Sequence, residues 1–273
     1  MMNNLGDSPS WHAALGAWRS WLAAAGRPLT TIRLRMHQLR RFARAHADPW
    51  RVTTQQMADW LGGHDWSAET KRSHRAALIG FYRWGLLSGH LPTNPAERLP
   101  PIRPTAPAPR PAPRSVVDAG LSATDERVRL MVRLAVLQGL RRGEIARLRV
   151  DDLVEGFDGW LMRVHGKGDK VRTIPVHDQS LVRDVRRRPG PFVFPGNDGG
   201  HLSPAYVGKL ISRALPDGWT AHTLRHRFAT ATYRGSRDML AVQQLLGHSR
   251  PETTQRYVAL SDDSLREAVR HAA

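Results

Sequence analysis

The sequence predicts a mainly α protein of the α+β class: a helical N-terminal domain, then a mostly helical domain interrupted by a small antiparallel β-hairpin or sheet. Three observations carry this. Apolar residues recur at helical spacing in both halves of the chain, one stretch alternates with period two around a glycine-rich turn, and a proline-dominated segment separates the halves. The length, 273 residues, also exceeds that of an ordinary single domain.

In the first lobe, residues 1–98, "WHAALGAWRSWLAAAG" sets Trp11, Leu15, Trp18 and Leu22 on one helical face, and Gly26 ends the helix. "TTIRLRMHQLRRFARAHA" repeats the pattern, with Ile32, Met36, Leu39 and Phe42 inside and Arg33, Arg35, Arg40, Arg41 and Arg44 on the surface. "TTQQMADWLGG" and "SAETKRSHRAALIGFYRWGLLSG" supply a third and a fourth helix, the fourth starting at Ser67 with Glu69 in its first turn. Seven of the nine tryptophans fall in this lobe, most of them on the apolar stripes, so they read as core rather than as base-stacking platforms. A small basic four-helix domain results. Arg33, Arg40, Lys71, Arg72, His74 and Arg75 are placed on its polar faces as phosphate-contact candidates.

Residues 99–114, "LPPIRPTAPAPRPAPR", are dominated by Pro, Ala and Arg. Proline at this density removes backbone donors and fixes φ, so an extended, semi-rigid connector is expected. Arg103, Arg110 and Arg114 would let it lie along a phosphate backbone.

The second lobe, residues 115–273, changes character. "DERVRLMVRLAVLQGLRRGEIARLRVDDL" gives an apolar helix through Leu130, Met131, Leu134 and Leu137, a break at Gly139 with Arg141 beside it, and a short helix carrying Glu144 and Leu148. "GWLMRVHGKGDKVRTIPV" alternates on both sides of a Gly-Lys-Gly-Asp-Lys turn, a hairpin with Lys167 at or beside its tip. In "AHTLRHRFATATY", Leu224, Phe228 and Ala231 form the buried stripe, so His222 and Arg225, three apart, are expected to face outward together. "RDMLAVQQLLG" buries Met239, Val242, Leu245 and Leu246, and Gly247 suits the left-handed position that closes a helix. His248 follows. Ser249 and Glu252 match a capping box, so a last helix should start there and carry Tyr257 about two turns in.

Forty-one Lys and Arg against 24 Asp and Glu give a formal charge of +17, spread along the chain, which points to a polyanionic partner. The absence of cysteine removes disulfides, thiol nucleophiles and cysteine-based zinc sites. No apolar run approaches the roughly 18 residues of a membrane span, and "MMNNLGDSPS" lacks the features of a secretory signal. A soluble, cytoplasmic, nucleic-acid-binding protein is the expectation.

Gly-Leu-Arg with Glu144 three residues after Arg141, the Gly-Lys-Gly hairpin, His-x-Leu-Arg-His, Leu-Gly-His, and Tyr257 nine residues beyond His248 resemble, in this order, the tyrosine recombinases, the phage integrase family. Each motif alone is weak; five in register are specific. The resemblance covers residue 115 to the end, and the first lobe looks like that family's core-binding domain. Because the helical lobe begins within about ten residues of the start, the chain looks like a compact two-domain form without an arm-binding domain. Arg142 stands where an apolar residue is common in the family, which leaves two arginines eligible for the first catalytic position; the spacing to Glu144 favours Arg141.

The resemblance implies the following chemistry. In-line attack on a phosphodiester builds charge on the non-bridging oxygens, and Arg141 and Arg225 would clamp those oxygens, with His248 donating a further hydrogen bond and Glu144 holding Arg141. Tyr257 would be the nucleophile, His222 its base, and Lys167 the general acid for the leaving 5′-oxygen, with Lys170 in the same turn as the second candidate. No metal or cofactor is implied. The implied partners are double-stranded DNA at core-type recombination sites and three further copies of the chain, a monomer when free and a homo-tetramer on DNA, with a directionality factor allowed for and no membrane. The setting is the cytoplasm of a bacterial or phage-infected cell. Integration or excision of a phage or mobile element is the leading role, with Xer-type dimer resolution and type IB topoisomerase-like nicking and closing as alternatives.

Overall fold

The computed structural model describes residues 9–104, 108–166, 168 and 170–247, and the chain divides into two compact units, 1–106 and 107–273. Eleven α-helices and one three-stranded sheet are seen among the described residues, as the α+β expectation requires. No described helix is long and apolar enough to cross a membrane.

The first unit is built from α1 (Pro9–Ala24), α2 (Leu29–Ala43), α3 (Thr54–Gly62) and α4 (Ala68–Leu87). Its starts follow local chemistry. Thr53 and Gln56 form a reciprocal capping box on α3, and the Ser67 hydroxyl accepts from the Thr70 N–H to open α4. The core is aromatic: Phe81 stacks on Trp11 with ring centroids 5.5 Å apart and meets Trp18 edge-on at the same distance. Two polar-face assignments fail here. His74 is only 6% exposed and stacks on Trp66 at 4.2 Å, because its position on α4 turns inward against α3 and the following loop. Burial, then the charges of Arg41 and neighbouring groups, lower its pKa to about 4, so it is neutral at neutral pH. Arg35 is likewise drawn in, donating to the Ser73 carbonyl at 2.6 Å across the α2–α4 contact.

The proline-rich segment is anchored at both described ends. Leu99 is buried in the first unit, where its carbonyl accepts from Arg75 at 2.7 Å. In the second unit Ala112 is buried and its N–H donates to the Thr223 carbonyl, and Arg114 is the first residue of α5 (Arg114–Leu121).

The second unit packs around α6 (Glu126–Leu137), whose Met131, Leu134 and Ala135 are fully buried, although Leu137 at its end is exposed. After α6 come α7 (Arg142–Arg147), β1 (Leu153–Gly156), β2 (Gly159–His165), β3 (Val171–Val176) and α8 (Gln179–Arg186). The sheet is antiparallel in the order β1-β2-β3, with Met162 opposite both Leu153 and Ile174, so the expected hairpin carries one extra strand. The Gly166 N–H donates to the Lys170 carbonyl at 2.8 Å and closes the β2–β3 turn. Then follow α9 (Pro204–Ala214), α10 (Ala221–Ser236) and α11 (Met239–Leu246). Gly247 takes φ +64° and closes α11 as expected.

Gly139, at the break after α6, has φ +63°, and a Cβ there would run into the Phe228 ring on α10. Gly139→Ala is therefore expected to destabilise the chain by about 1–3 kcal/mol, from positive φ and overpacking together. Urea denaturation at neutral pH is the check, and an unchanged midpoint would contradict the packing described.

Candidate active site

The break at Gly139 points the next residues back across the unit. Arg141 caps the N-terminus of α7, with its N–H donating to Glu144 Oε2 at 2.8 Å and its Nη1 to Oε1 at 2.7 Å. The same carboxylate takes a bidentate pair from Arg172 on β3, Nη1 to Oε1 and Nη2 to Oε2, both at 2.9 Å. Arg225 on α10 lies 3.6 Å from Glu144. Three guanidiniums thus share one buried carboxylate, and the positive charge in excess is what an anionic oxygen would meet.

Burial alone would raise the Glu144 carboxyl, but the hydrogen bonds and charge of Arg172, the Arg141 N–H and the charge of Arg225 outweigh it and hold the group at about 2. It is ionised at any working pH.

The arginines also grip the end of α11. Arg225 donates through Nη2 to the Leu246 carbonyl at 2.6 Å and through Nη1 to the Gly139 carbonyl; Arg141 reaches Leu246 at 3.3 Å, and Arg172 Nε reaches the Leu245 carbonyl at 2.8 Å. The last carbonyls of a helix have no intrahelical donors, so cations are well placed there. These bonds fix the end of α11 against α10 and β3.

His222 and Arg225 do line one cleft, of about 810 Å³, together with Arg141. The expectation that both face outward is corrected: His222 is exposed, but Arg225 is 1% exposed and forms the floor. The cause is the α11 end, which covers the α10 face that sequence periodicity left open. Of the predicted stripe, Leu224 is buried, Phe228 half-buried and Ala231 exposed. His222 reaches solvent at the cleft mouth, yet the protein around its ring and then the charges of Arg225, Arg141 and Arg142 lower its pKa, so the ring is a neutral proton acceptor at neutral pH. Its ring meets that of His226, one turn on, edge to face at 4.6 Å.

Lys167, His248 and Tyr257, and the last helix expected from Ser249, lie outside the described residues. Lys170 is exposed beside the β2–β3 turn. Arg172 was not singled out from the sequence, although it occupies the same strand phase as the buried Ile174 and Val176.

The remaining phosphate-contact candidates are scattered. Arg33, Arg40 and Arg103 are exposed, and Lys71 is half-buried. Arg72 pairs with Glu69 at 3.1 Å and lines a cavity with Arg75, whose guanidinium is engaged by the Leu99 carbonyl. In the second unit Arg110 lies over the Trp219 ring at 4.2 Å, and Arg114 is 3.7 Å from Asp118.

Residues 115–264, more than half the chain, match the phage integrase family, and the chain belongs to it. Tyrosine recombinase XerC of Xanthomonas axonopodis pv. citri is 35% identical over 71% of this chain and 68% of its own length. Tyrosine recombinase XerC of Corynebacterium efficiens is 28% identical over 98% of this chain and 94% of its own. The fold is that of a lambda integrase dimer bound to a COC′ core site, with a TM-score of 0.74, 22% identity, and coverage of 94% of this chain and 79% of that one. The resemblance read from the motifs therefore holds.

Proposed function

We propose that this tyrosine recombinase cuts DNA at a specific site by attack of the Tyr257 hydroxyl on the scissile phosphorus, breaking the bond to the 5′-oxygen and leaving a 3′-phosphotyrosyl link. His222 takes the phenolic proton, and Lys167 delivers a proton to the departing 5′-oxygen. Arg141 and Arg225 neutralise the non-bridging oxygens, with a further donor from His248. Rejoining reverses the two transfers onto another strand, and the phosphotyrosine conserves the bond energy, so no nucleotide is consumed. One observation carries this reading: Arg141 and Arg225, locked around Glu144, line the same cleft as a neutral His222.

Strand exchange needs two duplexes, and a chain that is monomeric when free and tetrameric on DNA meets that need; a lambda integrase tetramer bound to a Holliday junction shares the fold. Integration or excision of a phage or mobile element in the cytoplasm is the proposed role. A second reading, resolution of chromosome or plasmid dimers, is favoured by the relatives named XerC and XerD.

The test uses a duplex selected from random-sequence DNA by binding to the full chain, nicked at successive positions so that the short cleaved piece escapes. A denaturant-stable adduct whose linked peptide maps to Tyr257 is expected, with a free 5′-hydroxyl on the released piece. No adduct at any nick position, or linkage through another residue, sinks the reading.

Lys167 and Lys170 are separated by the leaving group. Lys167→Ala is expected to slow cleavage by about 10² to 10⁴-fold, the range for a lost general acid. Sulfur in place of the bridging 5′-oxygen leaves as a thiolate and needs no proton, so it should restore that variant to near the unaltered rate. If sulfur restores Lys170→Ala instead, the acid is Lys170.

A further inference from the structure

The cleft is larger and more basic than one phosphate requires. Besides Arg141 and Arg225 its walls carry Arg142, Arg147 and Lys209, and the one carboxylate among its described lining residues, Glu144, is already taken by Arg141 and Arg172. Elsewhere in this unit arginines meet acids: Arg127 pairs with Asp125 at 3.1 Å, Arg133 with Asp178 at 2.8 Å, and Arg149 with Asp151 at 3.0 Å. Among the described residues Arg142 and Lys209 meet no carboxylate, and Arg147 has only the His165 carbonyl at 3.3 Å.

The backbone makes room for these cations. Gly208 on α9 has no side chain where a Cβ would stand 3.2 Å from Arg142 Cδ, so Arg142 lies against α9 next to Lys209. Gly143 likewise leaves the space beside the Arg147 guanidinium open, with Pro204 on the far side. Arg142 lines the same cleft as His222. Like charges gathered in one cleft repel unless an anion joins them. A DNA strand presents a phosphate about every 3.4 Å of axis, so the phosphate beside the bound one arrives with the scissile phosphate.

We propose that Arg142, Arg147 and Lys209 form a second phosphate subsite, which holds the phosphodiester adjacent to the scissile one on the same strand. This rests on the cleft being the scissile-phosphate site. Arginine's fork suits two oxygens of one phosphate, and Lys209, on α9 beside Arg142, adds a point charge. The subsite sets the strand's register in the cleft and contributes affinity without touching the reacting atoms.

The test replaces each of the two phosphates flanking the cleavage position, in turn, by an uncharged methylphosphonate in the selected duplex, and measures binding by the full chain. The unaltered chain is expected to bind one of these duplexes about tenfold more weakly, as for a lost charged hydrogen-bonded contact. The Arg142→Ala/Lys209→Ala double variant, altered only at exposed positions, should bind the unmodified duplex about tenfold more weakly and be nearly indifferent to the methylphosphonate. Its salt slope should be shallower by about 0.9. If the double variant loses as much as the unaltered chain at the sensitive phosphate, or neither flanking phosphate matters, the subsite is overturned. The expected binding pattern without any covalent adduct from the unaltered chain would support the subsite and sink the phosphotyrosyl reading, so the two failures are distinguishable.

Discussion

A Tyr257→Phe chain is expected to bind the selected duplex with unchanged affinity and to form no covalent adduct, a loss in cleavage on the order of 10⁴-fold or more. The phosphate grip lies elsewhere. Arg141 is placed by α7, Arg225 and His222 by α10, and both arginines donate to the carbonyl that ends α11. Binding is dominated by neutralised phosphates and should keep its steep salt dependence. Phenylalanine fills the same volume and offers no nucleophile. Filter binding and a denaturing gel on the same samples give both readouts. A denaturant-stable band from this variant would move the nucleophile, and Tyr206 would be the first suspect, because it is exposed on α9 between Ala205 and Gly208 of the cleft wall. Tyr82 is out of reach, fully buried in the first unit.

What the sequence disclosed follows from how local each feature is. The four helices of the first unit were legible because each has its own apolar stripe and, for α3 and α4, its own cap, Thr53 and Ser67. Gly139 and Gly247 were legible because a left-handed backbone position selects glycine by itself. His74 was misplaced because helical periodicity gives an angle and not a partner; the ring that buries it, Trp66, comes from the preceding loop. Arg225 was misplaced for a related reason. A buried arginine reads as a surface residue until one knows that the carbonyls of Gly139 and Leu246, 86 and 21 residues away, accept its donors. Arg172 had a faint signal, a basic residue in the inward phase of a strand that continues to Ile174 and Val176. Strands often admit such a residue near an end, so the phase alone did not reveal Glu144 across the sheet edge.

Glu144→Ala is expected to destabilise the second unit by about 3–5 kcal/mol, the cost of leaving a buried charge uncompensated. Its carboxylate is the common acceptor of Arg141 and Arg172 and lies 3.6 Å from Arg225, so its removal leaves three guanidiniums without this counter-charge. Arg225, only 1% exposed at the cleft floor, has little water to take the carboxylate's place. The same carboxylate implies a pH dependence of stability. The folded carboxyl sits at about 2 against an ordinary 4.5, so its stabilisation is fully present above 4.5 and is lost as pH falls from there through the folded value. That shift corresponds to on the order of 3 kcal/mol. Glu144→Gln keeps the shape and part of the hydrogen bonding but not the charge, and should fall between the alanine variant and the unaltered chain. Cleavage should drop further than stability in both, because Arg141 loses the contact that aims it across α7 at the phosphate. Urea midpoints measured from pH 7 down to pH 2 provide the check: the unaltered chain should lose stability between 4.5 and 2 more steeply than Glu144→Ala, and equal midpoints at pH 7 or parallel curves below 4.5 would mean that Glu144 does not hold the arginine cluster together.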